Sequence, residues 1–164
     1  MIVISDTSVI SGLIKIQQLT LLRSLFSEIL IPPAVRSELE ELKRFNYDLS
    51  PLEEAGWIII QAPADPALIG KLEQVLDRGE AEAIALAKEL QADFLLIDEK
   101  KGRSIAEGEG LVVIGLAGIL IRAKQLQAIP MVKPILDDLI KNNFRISKTL
   151  YKTVLTRAGE SEFA

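Results

Sequence analysis

Neither cysteine nor histidine occurs among the 164 residues of this chain. Without cysteine there is no disulfide, no zinc-thiolate site and no thiol nucleophile. Nothing then points to an oxidising compartment, and the cytoplasm is the expected location. Without histidine the commonest general base and the commonest transition-metal ligand are gone in one step. Any chemistry must run on carboxylates, hydroxyls or lysines. Long apolar runs are missing as well: the longest stretch of apolar residues and glycine, 110–121, is too short to span a bilayer. The N-terminus lacks the basic region of a signal peptide, and an acid breaks its apolar run at position 6. No large excess of one charge exists either, since 19 basic against 23 acidic residues give a net charge of −4. That balance argues against a protein that coats nucleic acid nonspecifically. The charge is uneven, however: residues 1–97 hold 8 basic and 15 acidic side chains, and residues 98–164 hold 11 and 8. A local basic surface is compatible with that distribution.

What is present suffices for a core. Hydrophobic residues make up 49% of the chain, enough for one domain over residues 1–164, with no linker, repeat or low-complexity tract. Short β-rich runs alternate with helical patterns, which predicts an α/β domain with a mostly parallel sheet wrapped by helices. Runs at 2–5, 29–31, 57–60, 94–97 and 111–114 read as its strands. The first is continuous and β-branched, as expected of a strand buried on both faces. Thr7 or Ser8 suits a helix cap ahead of Val9, Ile10, Leu13 and Ile14, which fall at helical spacing. Further helical patterns lie at 19–26, from Pro33 to about residue 43, at 67–76, 79–91 and near 102–108, and from Gly115 to about 126. Residues 44–56 lack a period and read as a loop holding at most one short helix. Pro130, Pro134 and Ser147 mark two more helices from about residue 130, packed on the domain or at an interface.

In open parallel sheets, ligands bind in the crevice beyond the carboxyl ends of the strands. Asp6 directly follows the first predicted strand and Asp98 the fourth, so parallel strands bring both to one rim. Glu38 lies about one and a half turns after Pro33, placed to lean over the same edge. In the stretch 79–87, Glu80 and Glu82 interrupt the start of a helix of small and apolar residues that is built to be packed closely. A carboxylate among such neighbours is near the surface, protonated or bound to a cation, because burial without a partner is costly. Each acid also has an ordinary reading. Asp6 caps a helix, and Glu38 joins Glu40 and Glu41 on a solvated face. Glu82 shares a stripe with Glu89, Glu80 complements a helix start, and Asp98 opens a charged turn. The combination favours a site.

Ile4-Ser5-Asp6-Thr7-Ser8, Ile31-Pro32-Pro33-Ala34-Val35 with Glu38-Leu39, the stretch 79–87, and Leu96-Ile97-Asp98-Glu99 with Gly102-Arg103 resemble the PIN-domain superfamily in order and spacing. More narrowly, the chain resembles the prokaryotic branch of uncharacterised PIN-like proteins related to toxin ribonucleases of toxin–antitoxin pairs. The resemblance runs through nearly the whole chain. It implies a three-layer α/β/α sandwich with about five strands, and a metal-dependent ribonuclease whose acids bind Mg²⁺ or Mn²⁺ for phosphodiester hydrolysis. By motif position Asp6 is the first acid, Glu38 the second, Glu82 the third and Asp98 the fourth. Two departures stand out. The third position more often holds Asp, and here Glu80 rivals Glu82. A Thr usually stands shortly before the fourth acid, where this chain has Ile97, and Glu99 competes with Asp98.

Four close carboxylates repel one another, and a divalent cation relieves that repulsion while giving up waters to substrate phosphates. RNA is the substrate the resemblance implies. Lys100, Lys101 and Arg103, just beyond the fourth strand, are its expected phosphate contacts, while the more distant cations of the later helices read as solubilising charge. The resemblance further implies a small antitoxin-like protein partner. The apolar C-terminal helices are expected to pair two copies into a homodimer, to pack on the domain or to receive that partner. A second reading is a catalytically weak PIN-like scaffold that binds metal, RNA or a protein. A receiver-like phosphoacceptor is a third, but the chain shows no convincing Asp and Lys pair at the strand ends.

Overall fold

In the computed structural model, which describes residues 1–161, each predicted β-rich run contains a short strand. These are β1 (Val3–Ser5), β2 (Ile29–Ile31), β3 (Ile58–Ile60), β4 (Phe94–Leu96) and β5 (Val113–Ile114). All pairings are parallel, in the order β3-β2-β1-β4-β5, with Ile4 opposite Leu30 on one side and Ser5 opposite Leu96 on the other. The chain thus builds outward from β1 to β3 and then crosses to the far side of β1. The point between β1 and β4 where the order reverses opens a crevice at the carboxyl ends of those two strands.

The helices are α1 (Thr7–Lys15), α2 (Leu21–Leu25), α3 (Pro33–Glu40), α4 (Ser50–Glu53), α5 (Pro66–Glu73), α6 (Arg78–Glu89), α7 (Lys100–Gly108), α8 (Leu116–Gln125), α9 (Lys133–Lys141) and α10 (Lys148–Arg157). Alternation along the strands divides the core in two. Val3 and Leu96 pack with the apolar faces of α1, α8, α9 and α10, while Ile4, Leu95 and Ile97 pack with α5, α6 and Ala106 of α7. The result is a three-layer α/β/α sandwich.

Residues 44–56 form a loop with one short helix, as their sequence predicts. A 3-10 turn, Glu41–Phe45, prolongs α3, and α4 follows. Leu49, Leu52 and Ala55 are buried there. Two pieces this short carry too few apolar positions to display a period. The edge strand β3 leaves Ile59 and Ile60 partly exposed. At the C-terminus, Leu136, Leu139, Val154 and Leu155 are buried in the core cluster that holds α8, so both last helices pack on the domain. The Glu160 carboxylate fastens this end, accepting from Val132 N at 2.7 Å, Lys133 N at 3.0 Å and Lys124 Nζ at 2.8 Å. Among the described residues no helix is long and apolar enough to cross a membrane.

Candidate active site

Asp6 and Asp98 leave neighbouring strands at the switch point. Asp6 N donates to Leu96 O at 2.9 Å, which carries the β1–β4 pairing one residue further. Asp6 is extended, with φ −85° and ψ −172°, and caps α1 by accepting from Val9 N. That contact is long, at 3.5 Å. The closer partner is Ser8 Oγ, 2.8 and 2.9 Å from the two carboxylate oxygens. The same Ser8 oxygen accepts the Asp98 N–H at 3.0 Å, so one hydroxyl joins the ends of both strands. Asp98 Oδ1 in turn accepts from Leu116 N, at the start of α8, at 3.0 Å. Thr7 Oγ1 donates to Glu38 Oε2 at 3.2 Å. The run Asp6-Thr7-Ser8 therefore contacts both Glu38 and Asp98.

Three glycines make room for the acids. A Cβ at Gly79 would overlap the Glu38 carboxylate, one at Gly102 would stand 2.6 Å from Glu80 Oε2, and one at Gly115 would stand 2.7 Å from Asp98 Oδ1. They lie at the starts of α6, α7 and α8, where free N–H groups and the helix dipole favour negative charge. Helix starts without side chains let carboxylates come close to that positive end.

The electrostatics follow from burial and mutual repulsion. Asp6 is 1% exposed. Burial drives its pKa well above the usual carboxylate range, the charges of Glu80 and Asp98 add to the rise, and only the neutral Ser8 hydroxyl and Val9 N–H oppose it. Burial also raises Asp98, with Glu99 adding, against the Leu116 N–H and the Arg103 guanidinium. Glu80 is pushed up to about 7 by burial and then by Asp77, with a smaller contribution from Glu99. Glu38 rises through burial, Asp77 and Glu82, partly offset by Thr7.

The predicted acids fall into two adjoining groups. Asp6 feels the charges of both Glu80 and Asp98 at the switch point, and Glu99, exposed at the rim, acts on Glu80 and on Asp98. Glu38, Glu82 and Asp77 form the second group, and Asp77 also acts on Glu80. Glu82 is buried and turned toward α3, accepting from Ala34 N at 3.1 Å and from Arg78 Nε at 2.6 Å. Its charge is thereby met by a guanidinium and a helix start. Asp77 was legible only as a breaker between helices, although Asp77 with Glu80 three residues on forms the capping box seen at the start of α6. Among the described residues no group of three or more acids is placed to hold a metal ion as the side chains stand.

The donor chemistry nonetheless fits a hard divalent cation. All the donors are carboxylate oxygens, and ions such as Mg²⁺ commonly take only one or two protein carboxylates and keep several waters. A buried Asp6 with the carboxylates of Glu80 and Asp98 acting on it, and only the neutral Ser8 hydroxyl and Val9 N–H to offset them, is the observation that supports this fit.

Of the predicted phosphate contacts, Lys100 and Arg103 line a groove of about 890 Å³ that includes Asp98. Lys101 is exposed and lines none of the described cavities. Lys100 and Arg103 share a helix face at spacing i,i+3, and Lys101 lies off that face.

Comparison with known proteins gives a consistent family. The family model DUF3368, described as a PIN domain, matches residues 2–160. Among solved structures, the chain resembles a PilT N-terminus domain protein from the hyperthermophilic archaeon Sulfolobus solfataricus P2, with a TM-score of 0.52 and 20% identity over 75% of this chain and 93% of that one. At that identity the likeness is one of fold. None of the curated proteins compared matches the chain.

Proposed function

The chain belongs to the PIN-domain family, whose members are generally nucleases, and from that premise we propose that it is a metal-dependent ribonuclease hydrolysing phosphodiester bonds with Mg²⁺ or Mn²⁺. The observation that carries this reading is the pair Asp6 and Asp98, set on adjacent strand ends at the switch point and tied by one Ser8 hydroxyl. Asp6 and Asp98 would hold the cation, with Glu80 beside them and Glu38 at the outer edge. The cation supplies a lowered pKa for the attacking water and positive charge against the phosphate. The chain's own groups do the rest. Glu80, raised to about 7, is suited to take the proton of that water at a carboxylate oxygen, a role no histidine is present to fill. Arg103, packed against Gly115 beside Asp98, faces the phosphate. Ser8 and Thr7 hold Asp6 and Glu38 in place. Glu82 braces α6 against α3. The finer biology we read as toxin-like: a cytoplasmic nuclease restrained by a small antitoxin-like protein, acting as a homodimer.

The second reading, a catalytically weak scaffold that binds metal, RNA or a protein partner, draws on the absence of a ready three-acid group among the described residues. One experiment separates the two. Purified protein and its Asp6→Asn variant are incubated with single-stranded and structured RNAs in Mg²⁺, Mn²⁺ or EDTA. The nuclease reading expects cleavage only by the unaltered protein and only with metal. Cleavage that persists in EDTA and in the variant sinks the metal site, and metal binding without cleavage by either protein moves the protein to the scaffold class.

A further inference from the structure

Asp98 lines two cavities. One is the groove of about 890 Å³ running along α7, β5, α8 and α10, and the other, of about 530 Å³, opens toward α1 and α9 and includes Ser8 and Lys15. Four residues line both: Asp98, Lys100, Phe144 and Arg145. The connection between α9 and α10 therefore forms a ridge that divides two hollows at the candidate active site.

That ridge is held firmly. Asn143 turns the chain with φ 73° after α9. Phe144 N then donates to Leu139 O at 3.0 Å and Asn143 N to Ile140 O at 3.2 Å, the pattern of a Schellman helix end. Ser147 Oγ closes the other side by accepting from Leu150 N at 3.1 Å at the start of α10. Phe144 and Arg145 are thus presented by two helix ends.

The hollows reverse the charge of the molecule as a whole. In a chain of net charge −4, the larger groove gathers Lys100, Arg103, Arg122, Arg145 and Arg157 against Asp98 and Glu107. Lys100, Arg145 and Arg157 enter no ion pair among the described residues, and Arg103 forms no close ion pair there but acts on Asp98 through its charge. Apolar surface lies among them, from the half-buried Phe144 and the exposed Leu150. Cations beside a ring match a polyanion whose bases are free to stack, which describes a single strand of nucleic acid rather than a duplex.

We propose that Phe144 and Arg145 form a wedge that seats single-stranded RNA across Asp98, the ring stacking on a base and the guanidinium taking a phosphate next to the one being cut. The proposal rests on the ribonuclease reading for its substrate. It adds two residues, Phe144 and Arg145, that fix how an unpaired strand lies between the two hollows.

Binding of a fluorescein-labelled unstructured RNA is measured by anisotropy over a salt series, beside the same strand annealed to its complement. The full chain is used, both unaltered in EDTA and as Asp6→Asn in Mg²⁺, so that nothing is cut. Single-stranded RNA is expected to bind at least tenfold more tightly than duplex. Arg145→Ala should weaken it and lower the slope of log affinity against log salt by about one phosphate contact. Phe144→Ala should weaken it roughly tenfold with the slope unchanged, and Phe144→Trp should restore it. Thermal melting of each variant separates a lost contact from a lost fold, and the Trp variant keeps the test open if the Ala variant unfolds. Equal binding by all variants, preference for duplex, or no binding of either RNA overturns the wedge. Cleavage by the unaltered protein that depends on Asp6 but not on Phe144 or Arg145 overturns the wedge alone. Wedge-dependent binding with no cleavage in any metal overturns the ribonuclease reading alone.

Discussion

The Glu38 carboxylate fills the space that a side chain at position 79 would need. Gly79 lies in the first turn of α6 with no left-handed backbone requirement, so its value here is spatial. Gly79→Ala should gain up to about 1 kcal/mol of helix stability while forcing Glu38 away from Thr7. Cleavage is expected to fall by roughly tenfold or more, since small displacements of positioned groups carry such penalties, with the urea midpoint unchanged or higher. A variant that is both less stable and fully active would contradict this use of the glycine.

Ser8→Ala removes the hydroxyl that serves Asp6 and Asp98 together. It leaves a buried carboxylate with only a long backbone donor and strips the Asp98 N–H of its acceptor. The expected loss is about 1–3 kcal/mol in urea denaturation, along with weaker metal binding. Ser8→Thr, which keeps the hydroxyl, should retain most of both.

Glu80 and Glu82 are separated by complementary losses. Glu80→Gln should abolish most metal-dependent cleavage while stabilising the metal-free protein at pH 8, because it removes a charge that Asp6 and Asp77 oppose. Glu82→Gln breaks the contact with Arg78 and weakens the brace on Ala34. It should lower stability by about 1 kcal/mol and reduce cleavage only modestly. Denaturation curves and initial cleavage rates on the two variants, measured side by side, test the assignment, and the opposite pattern reverses it.

Stability should depend on pH with a definite sign. Glu80 titrates near 7 in the folded chain against an ordinary value of 4.5, so the folded state binds more protons than the unfolded state between those values. The unfolding free energy therefore falls as pH rises from about 4.5 through 7. Asp6, also raised, acts in the same direction. Asp137 and Glu160 are lowered by their partners and lose stability only in more acidic solution. In EDTA the melting temperature is expected to be lower at pH 8 than at pH 5.5, and excess Mg²⁺ or Mn²⁺ should close the gap. A melting temperature that climbs over this range in EDTA would refute the repulsion at the switch point.

Much of this was legible along the chain for local reasons. Continuous β-branched runs mark strands, and an acid directly after a strand must lie at its carboxyl end, which placed Asp6 and Asp98. Proline at the start of α3 is likewise a local signal, whereas Asp77 read only as a breaker and the structure showed its capping box with Glu80. The choice between Glu80 and Glu82 was not local. Residues two apart are about 200° apart on a helix, and both acids stand among small residues, Glu80 between Gly79 and Ala81 and Glu82 between Ala81 and Ala83. Which one faces the crevice depends on where α6 rests against α3.

The resemblance carried in the sequence settled the family, and periodicity settled the class of fold, because both are properties of the order of residues. Asp6 belongs to that level, as a residue bound to stand at the end of a strand. Only the tertiary structure put β4 beside β1, so that Ser8 reaches the backbone of Asp98. Only packing turned Glu82 toward Ala34 and brought Phe144 and Arg145, from the far end of the chain, to the cavities that Asp98 lines. Those relations depend on which apolar faces bury one another, and no local pattern encodes the partner a face will meet.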